Sequence, residues 1–336
     1  MKRVEGLEEY VKEGRYRKAL GLPSHREEIY TWIGQGEYNI NYSFVHPVSR
    51  KKLLLRVNCG SQMHLEHQIE YEYDALKCLE GSGRTPHVYY VDGSGEKIDH
   101  GILVMEFLPG RALDYHKELY EAASCLADIH STSVENHRLI CPENPLQSIL
   151  CECERMYEVY EKSSLGSPET KKQVRKLLEI GRKKVDAFSY ETPWRCCINT
   201  ELNSTNFLSG GKHGTMYLID WEKPLYADPA QDLGHFLAPT TTFWKTDVIL
   251  TREAMKDFVK EYVRCVGGRF PTEGMSERTQ MFMAINCLRG ISWCAMAWIQ
   301  YRQKGKMLVN ESTKEKLDAY LDDDFLQRID ACVQAV

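Results

Sequence analysis

Three polar residues near the middle of the chain have the types and spacing needed for chemistry on a phosphate. Glu201 lies five positions before Asn206, and Asp220 follows at the end of a short apolar run. A carboxylate at the first position can orient and deprotonate a hydroxyl, while an amide and a second carboxylate can hold Mg²⁺ against the phosphates of a nucleotide. We expect a loop up to Asn206 whose ends converge, and a strand over residues 216–219 that brings Asp220 to the same place.

This stretch resembles the catalytic loop and metal-binding aspartate of the aminoglycoside phosphotransferase and choline kinase-like family. Members of that family are small-molecule kinases with a protein-kinase-like fold. Their loop has the pattern His-Gly-Asp, four residues and then Asn, whereas residues 199–201 are Asn-Thr-Glu, followed by four residues and Asn206. Residues 228–234, Asp-Pro-Ala-Gln-Asp-Leu-Gly, also resemble the Asp-Pro-x-x-Asp-Leu-Ala segment of the family. The resemblance covers roughly residues 29–300.

The resemblance implies a role for each of these polar side chains. Glu201 would orient and deprotonate the acceptor hydroxyl, and Asn206 and Asp220 would bind Mg²⁺. Asp232 would support the catalytic loop through hydrogen bonds to its backbone. Asn199 stands where the family has the histidine that braces the loop, and its amide can still make hydrogen bonds.

A glycine-rich turn interrupts the predicted strands of residues 29–57. Gly34 and Gly36 lack a Cβ, so this backbone could lie close over phosphates. A Gly-x-Gly sequence is equally typical of a plain hairpin turn. The resemblance favours a nucleotide loop that includes Gly34, Gly36 and Asn39.

Arg56 lies within an otherwise apolar predicted strand. A buried cation needs a partner, and the alternative is an edge strand with Arg56 in solvent. The resemblance makes Arg56 a phosphate clamp held by a carboxylate of the predicted helix 64–79. Glu72 matches the Glu-x-x-x-Leu-x-x-Leu pattern of the family, while register alone leaves Glu66 and Glu70 open.

Two further strands are predicted at residues 86–91 and 101–107, before Pro-Gly ends the second one. The end of this strand resembles the hinge between the two lobes of the family. The backbone of Glu106, Phe107 and Leu108 would then meet the edge of the nucleotide base.

The expected fold is α+β and two-lobed, as in protein kinases. A small antiparallel sheet would form the N-terminal nucleotide-binding lobe, residues 1–108. A larger, mainly helical C-terminal lobe, residues 109–336, would carry the catalytic loop and the acceptor site. Helices are predicted over residues 4–20, 64–79, 120–131, 149–188 with a break near Gly166-Ser167-Pro168, 251–266, 277–303 and 313–335.

An aromatic helix near the C-terminus is a candidate acceptor site. Choline kinase-like proteins have a tryptophan-rich helix ending in Gln, whose rings help to hold a quaternary ammonium by cation–π attraction. Trp293 fits that pattern, and Trp298 is the other candidate acceptor residue, but Met296 stands where a second tryptophan is expected. The alternative is a buried aromatic core helix.

Composition excludes several classes of protein. A net charge of -5 on 336 residues gives no basic field for nucleic acid. No uninterrupted apolar run of 18 residues suggests a membrane span, and the N-terminus lacks an apolar signal region, so we expect a cytoplasmic protein. The twelve cysteines include no Cys-x-x-Cys pair and are expected to be reduced thiols. The sequence leaves the oligomeric state open.

The resemblance predicts a kinase that uses ATP or GTP to phosphorylate a hydroxyl of a small molecule. Candidate acceptors are an aminoglycoside, choline, ethanolamine, another amino alcohol or a sugar, and an acidic cleft would favour an amine. Glu201 is one methylene longer than the usual Asp, which can move the carboxylate by about 1 Å and cost on the order of 10²-fold in rate. A nucleotide-binding pseudokinase is therefore the second hypothesis, and a helical binding protein without a nucleotide site is the third.

Overall fold

Five antiparallel strands form the sheet of the N-terminal lobe, in the order β1-β2-β3-β5-β4. Their bounds are β1 Thr31–Gln35, β2 Asn39–Val45, β3 Lys52–Asn58, β4 Val88–Asp92 and β5 Gly101–Glu106. The structure, a computed structural model, describes residues 4–61, 63–135, 137–211, 214–303 and 311–335, with side chains from residue 313 in the last range. Because β3 pairs with both β2 and β5, it is a central strand, and the edge-strand alternative for Arg56 is wrong.

The side chains of β3 alternate between the two faces of the sheet, so successive residues contact different neighbours. Leu53, Leu55 and Val57 point to one face, where they pack with two short helices, α1 Leu7–Tyr10 and α2 Gly14–Leu20. Successive side chains of a strand point to opposite faces, so Arg56 projects from the other one. That face is covered by helix α3, Gln68–Leu79.

The C-terminal lobe is mainly helical, as expected. Its helices are α4 Leu119–His130, α5 Pro145–Lys162, α6 Pro168–Ala187, α7 Pro229–Leu237, α8 Pro239–Lys245, α9 Arg252–Val266, α10 Met275–Arg302, α11 Glu311–Tyr320 and α12 Asp323–Gln334. Its short strands are β6 Arg111–Ala112, β7 Cys196–Ile198, β8 Phe207–Ser209, β9 Tyr217–Leu218 and β10 Leu225–Ala227. Strand β7 pairs with β10, and β8 lies between β6 and β9, so these strands frame the predicted catalytic loop.

Local hydrogen bonds explain where the helices begin. The predicted break at Gly166-Ser167-Pro168 is observed, because Ser167 accepts the N–H of Thr170 (3.1 Å) and Pro168 starts α6. The single helix predicted over residues 313–335 is wrong: Asp322 caps a new helix, α12, by accepting the N–H of Asp324. Helix α3 begins at residue 68 rather than 64, so Glu66 lies outside it.

Helix α10 runs through the middle of the C-terminal lobe and packs against α5 and α7. By length and composition it is apolar enough to cross a membrane, although Asn286, Arg289 and Ser292 interrupt its apolar run. Two thirds (67%) of its most apolar window is buried inside the structure, as in the core helix of a folded domain. All twelve cysteines are free thiols, and six of them are buried.

Candidate active site

Arg56 and Glu72 form an ion pair on the face of the sheet that α3 covers. Their side chains are 9% and 1% exposed. Glu70 has a side chain that is 41% exposed and lies 3.0 Å from His67, and Glu66 precedes the helix. Among the three candidates, α3 therefore directs Glu72 to Arg56.

Other polar groups surround the Arg56 guanidinium. Its Nε donates to Oδ1 of Asn41 (3.2 Å), and its Nη1 lies 3.5 Å from Oδ1 of Asp220 and 3.9 Å from Oε1 of Glu222. The structure thus brings the predicted metal ligand Asp220 to the predicted phosphate clamp. Glu222, which sequence reasoning missed, joins them because it follows Asp220 by two positions.

The carboxylates of this cluster crowd one another. Burial raises the pKa of Glu72 to about 7, and the charges of Asp220 and Glu222 add to this effect while Arg56 opposes it. Burial and the charge of Asp220 likewise raise the pKa of Glu222. The local negative charge exceeds what Arg56 neutralises, which is an environment that suits a divalent cation.

The donor set fits Mg²⁺ completed by phosphate oxygens. In the parts of the chain that the structure describes, no three His, Cys, Asp or Glu side chains converge to hold a metal alone. Mg²⁺ in nucleotide sites is usually held by one or two carboxylates together with substrate phosphates. Asn206 donates its amide N–H to the carbonyl of Glu201 (2.8 Å), which leaves its side-chain oxygen as the group that can bind a cation.

Asp232 holds the start of the catalytic loop. Its two carboxylate oxygens accept the N–H groups of Asn199 and Thr200, each at 2.8 Å. His130, fully buried on α4, lies 3.3 Å from the same carboxylate and 2.8 Å from the hydroxyl of Tyr262. Asp232 therefore has the geometry of a loop support, and His130 is part of that support.

Asn199 links the catalytic loop to the segment that carries Asp220. Its amide donates to the carbonyl of Asp220 (2.8 Å), and its side-chain oxygen accepts the N–H of Glu201 (3.0 Å). Asn199 thus connects the two carboxylates in place of the histidine of the family pattern.

Two residues of the site have left-handed backbone conformations. Thr200 has φ of 70° and Asp220 has φ of 65°, values that cost a non-glycine residue free energy. Thr200 stands where the family pattern has glycine, and its hydroxyl donates to the carbonyl of Lys223 (2.8 Å). Such strain persists where surrounding contacts fix the backbone, and it is concentrated at functional sites.

Comparison with known proteins shows the family of the chain. The model of the "Phosphotransferase enzyme family" matches residues 30–262, more than half of the chain. The chain belongs to this family. No curated protein matches the sequence.

Solved structures show that the fold of this phosphotransferase is kinase-like. Choline kinase from Cryptosporidium parvum has a TM-score of 0.67 at 13% identity, covering 98% of this chain and 97% of that one. Spectinomycin phosphotransferase, in complex with ADP and spectinomycin, has a TM-score of 0.65 at 14% identity, covering 99% of both chains. Plasmodium vivax ethanolamine kinase has a TM-score of 0.62 at 14% identity, covering 96% and 90%.

The glycine turn of the phosphotransferase is a tight hairpin next to this cluster. The N–H of Gly36 donates to the carbonyl of Asn39 (2.9 Å), and the Asn39 amide binds Oε1 of Glu222. A Cβ at Gly34 would meet no atom within 4 Å, and one at Gly36 would meet only the Asn39 carbonyl at 4.0 Å. Neither glycine has positive φ, so the fold itself does not demand glycine there.

At the hinge, two of the three predicted backbone positions already have protein partners for their N–H groups. Glu106 donates to the carbonyl of His87 (2.7 Å), and Phe107 donates to that of Lys52 (3.3 Å). Leu108 follows them as a half-buried residue. The contact of residues 106–108 with a base stays a prediction.

Glu201 is paired with a lysine that sequence reasoning missed. Its Oε1 contacts Nζ of Lys223, and the two side chains are 36% and 8% exposed. The position of Lys223 three residues after Asp220 was the available signal, but that position gives no indication that the lysine is buried.

A second group of charges lies near Glu201, from helices distant in sequence. Arg289 of α10 pairs with Glu152 of α5 (3.1 Å). Burial opposes the charge of Arg289, but the carboxylates of Glu152 and Glu201 offset it and raise its pKa. Burial lowers the pKa of His235 to about 3, helped by the positive charges of Arg289 and Lys223. The surroundings of Glu201 therefore hold cations as well as carboxylates.

The two tryptophans of the predicted acceptor site have protein partners. Trp298 donates to Oδ1 of Asp318 (2.8 Å), and the guanidinium of Arg302 lies 3.6 Å from its ring centroid. Trp293 packs edge-on against Trp244, with centroids 5.3 Å apart. These contacts favour the alternative of an aromatic core helix over an ammonium-binding cage.

Proposed function

We propose that this protein transfers the γ-phosphate of ATP or GTP to a hydroxyl group of a small molecule. The observation that carries the proposal is that the Arg56–Glu72 pair lies beside Asp220, and that the segment of Asp220 is hydrogen-bonded to the loop of Glu201 and Asn206. Phosphoryl transfer depends mainly on positioning and charge stabilisation, and these groups supply both.

Each residue would act through its own group. Arg56, held by Glu72, would bind phosphate oxygens, and Asp220 with Asn206 would hold Mg²⁺. Mg²⁺, when bound, neutralises charge on the phosphates. Glu201 would orient the acceptor hydroxyl and accept its proton.

The glycine turn supports a nucleotide above this cluster. The space where side chains of residues 34 and 36 would lie is open in the protein, so a reason for glycine there is close approach of a ligand. Asn39 joins this turn to Glu222, beside the proposed metal ligand. We therefore assign the phosphates of the donor to the space under residues 34–39.

The test is Mg²⁺-dependent consumption of ATP and of GTP against amino alcohols, sugars and aminoglycosides. Wild type is compared with Asp220→Ala, Glu201→Ala and Glu201→Asp. We expect turnover with one acceptor class and loss of most activity in Asp220→Ala and Glu201→Ala. Full turnover by Asp220→Ala would contradict the proposal.

A pseudokinase is the second candidate, favoured by the contact of Glu201 with Lys223, which occupies the proposed base. In that case wild type would bind Mg²⁺-nucleotide in a thermal-shift titration but transfer no phosphate. Activity that appears only in Glu201→Asp would support this second candidate.

A further inference from the structure

Glu201 differs from the family aspartate by one rotatable bond, so a fixed backbone does not fix its carboxylate. The backbone is held on both sides, because the N–H donates to Asn199 (3.0 Å) and the carbonyl accepts from Asn206 (2.8 Å). The end of the side chain contacts Nζ of Lys223. That contact gives the longer side chain a defined end point.

Lys223 is itself built into the protein. Its side chain is 8% exposed, and its backbone lies in a run of three successive carbonyls that each accept a side-chain hydrogen bond. These bonds run from Gln68 to the carbonyl of Glu222 (2.7 Å), from Thr200 to that of Lys223 (2.8 Å) and from Tyr71 to that of Pro224 (2.6 Å). The ammonium group therefore extends from a fixed backbone.

The two side chains of this pair differ in exposure, and the difference decides which of them an acceptor can contact. The Lys223 side chain is buried, while the Glu201 side chain is about one third exposed. A carboxylate has two oxygens and about four acceptor sites, so one oxygen can stay on Lys223 while the other meets a hydroxyl.

We propose that Lys223 is a positioning residue that holds the Glu201 carboxylate in register with the acceptor hydroxyl, and that it compensates for Glu in place of Asp. The proposal rests on the phosphotransfer function proposed above. It explains how a site with the longer carboxylate keeps its geometry.

A double-mutant cycle tests this role. The variants are Lys223→Met, Glu201→Asp and the two combined, with Lys223→Arg as the conservative change. We expect Lys223→Met to lower kcat on the order of 10²-fold, the effect of a misplacement of about 1 Å, with the KM for nucleotide unchanged. Lys223→Arg should retain more activity, because it keeps the cation. In the Glu201→Asp background, Lys223→Met should change kcat little, because the shorter carboxylate no longer reaches the lysine.

Lys316→Met is the matched control. Lys316 is also a partly buried lysine, 25% exposed, that pairs with Asp247 (2.7 Å) and donates to the carbonyl of Phe243 (2.9 Å), in contacts that include none of the site residues. Its loss should leave kcat unchanged. An unchanged kcat in Lys223→Met, or an equal loss in both backgrounds, would overturn the proposal.

Crystal structures of wild type and Lys223→Met give a readout that needs no activity. We expect the Glu201 carboxylate to contact Lys223 in wild type and to adopt another rotamer in the variant. The same carboxylate position in both would overturn the proposal. Absence of turnover by wild type with every acceptor would instead overturn the phosphotransfer function, and the two crystal structures would then decide the position of Glu201 by themselves.

Discussion

Two ion pairs of the same chemical kind lie in the candidate site, one on its proposed nucleotide side and one on its proposed acceptor side. On the nucleotide side, Arg56 and Glu72 are 9% and 1% exposed. On the acceptor side, Lys223 and Glu201 are 8% and 36% exposed. In both pairs the cation is buried, so the difference lies in the carboxylate. A fully buried carboxylate can only pair with its cation. A partly exposed carboxylate can also replace a bound water by a group of the substrate.

The largest expected effect is on the nucleotide side. Arg56→Met leaves the buried Glu72 without its cation, and breaking a buried ion pair by removing one partner typically costs about 3–5 kcal/mol of unfolding free energy. Arg56 is also the proposed phosphate-binding cation and lies 3.5 Å from the proposed metal ligand Asp220. Nucleotide affinity should therefore fall as well. Urea unfolding and calorimetric titration with Mg²⁺-nucleotide measure the two effects.

Arg17→Met is the control for that experiment. Arg17 of α2 forms an ion pair of comparable burial with Glu28 (2.8 Å; side chains 13% and 1% exposed). This pair lies on the face of the sheet opposite to Arg56. The variant should lower stability and leave nucleotide affinity unchanged. Equal affinity losses in both variants would show that Arg56 acts through stability alone.

His235, on the proposed acceptor side, should make the folded protein less stable in acid. Its pKa is lowered to about 3, so between pH 6.5 and 3 the unfolded chain binds a proton that the folded chain does not. Stability therefore falls as pH decreases through this range, by a few kcal/mol at most. His235→Asn keeps an acceptor for the N–H of Leu202 and removes the titration. Unfolding at pH 7.0, 5.5 and 4.0 should show a smaller acid loss in the variant.

The nucleotide side should respond to pH in the opposite direction. The pKa of Glu72 is raised to about 7, so between about pH 4.5 and 7 the folded chain retains a proton that the unfolded chain releases. This contribution to stability is present at low pH and is lost as pH rises to 7. Glu72→Gln should remove that slope, measured by the same unfolding series. An unchanged slope would mean that Arg56 keeps Glu72 ionised throughout.

The smallest expected effect is at Trp298. Its ring and N–H are already held by Arg302 and Asp318, so Trp298→Phe should cost about 1 kcal/mol for one hydrogen bond. Acceptor KM should stay unchanged. A large rise in KM would place the ring in the acceptor site and restore the cation–π interpretation.

The sequence predicted the proposed nucleotide side of the site better than the proposed acceptor side. Arg56, Glu72 and Asp220 lie together in the structure, in the arrangement that the resemblance implied, although register alone left Glu66 and Glu70 open as partners of Arg56. The acceptor side combines Glu152 of α5, His235 of α7 and Arg289 of α10, and no local pattern indicates that three helices so distant in sequence converge.

Boundaries were missed for local reasons. The extra helix start at Asp322 depends on a single capping side chain within a helical pattern.

Lys223 was missed because its significance comes from burial, which depends on the contacts of Thr200, Gln68 and Tyr71 with its segment. Such contacts join residues 23 to 154 positions apart, so the spacing of residues in the sequence does not show them.

Helix α3 contacts both lobes, which bears on how the proposed activity could be controlled. It sits on the N-terminal sheet, yet Gln68 and Tyr71 bond to carbonyls beyond Asp220, and Ile69 and Leu76 belong to the apolar core that contains α4 and α10. Protein kinases can be switched off by moving the corresponding helix and separating its glutamate from the phosphate-binding cation. Here that motion would break two hydrogen bonds and open the main core. If the proposed phosphotransfer activity is confirmed, this anchoring disfavours control by movement of α3, and the rate would follow the supply of substrates.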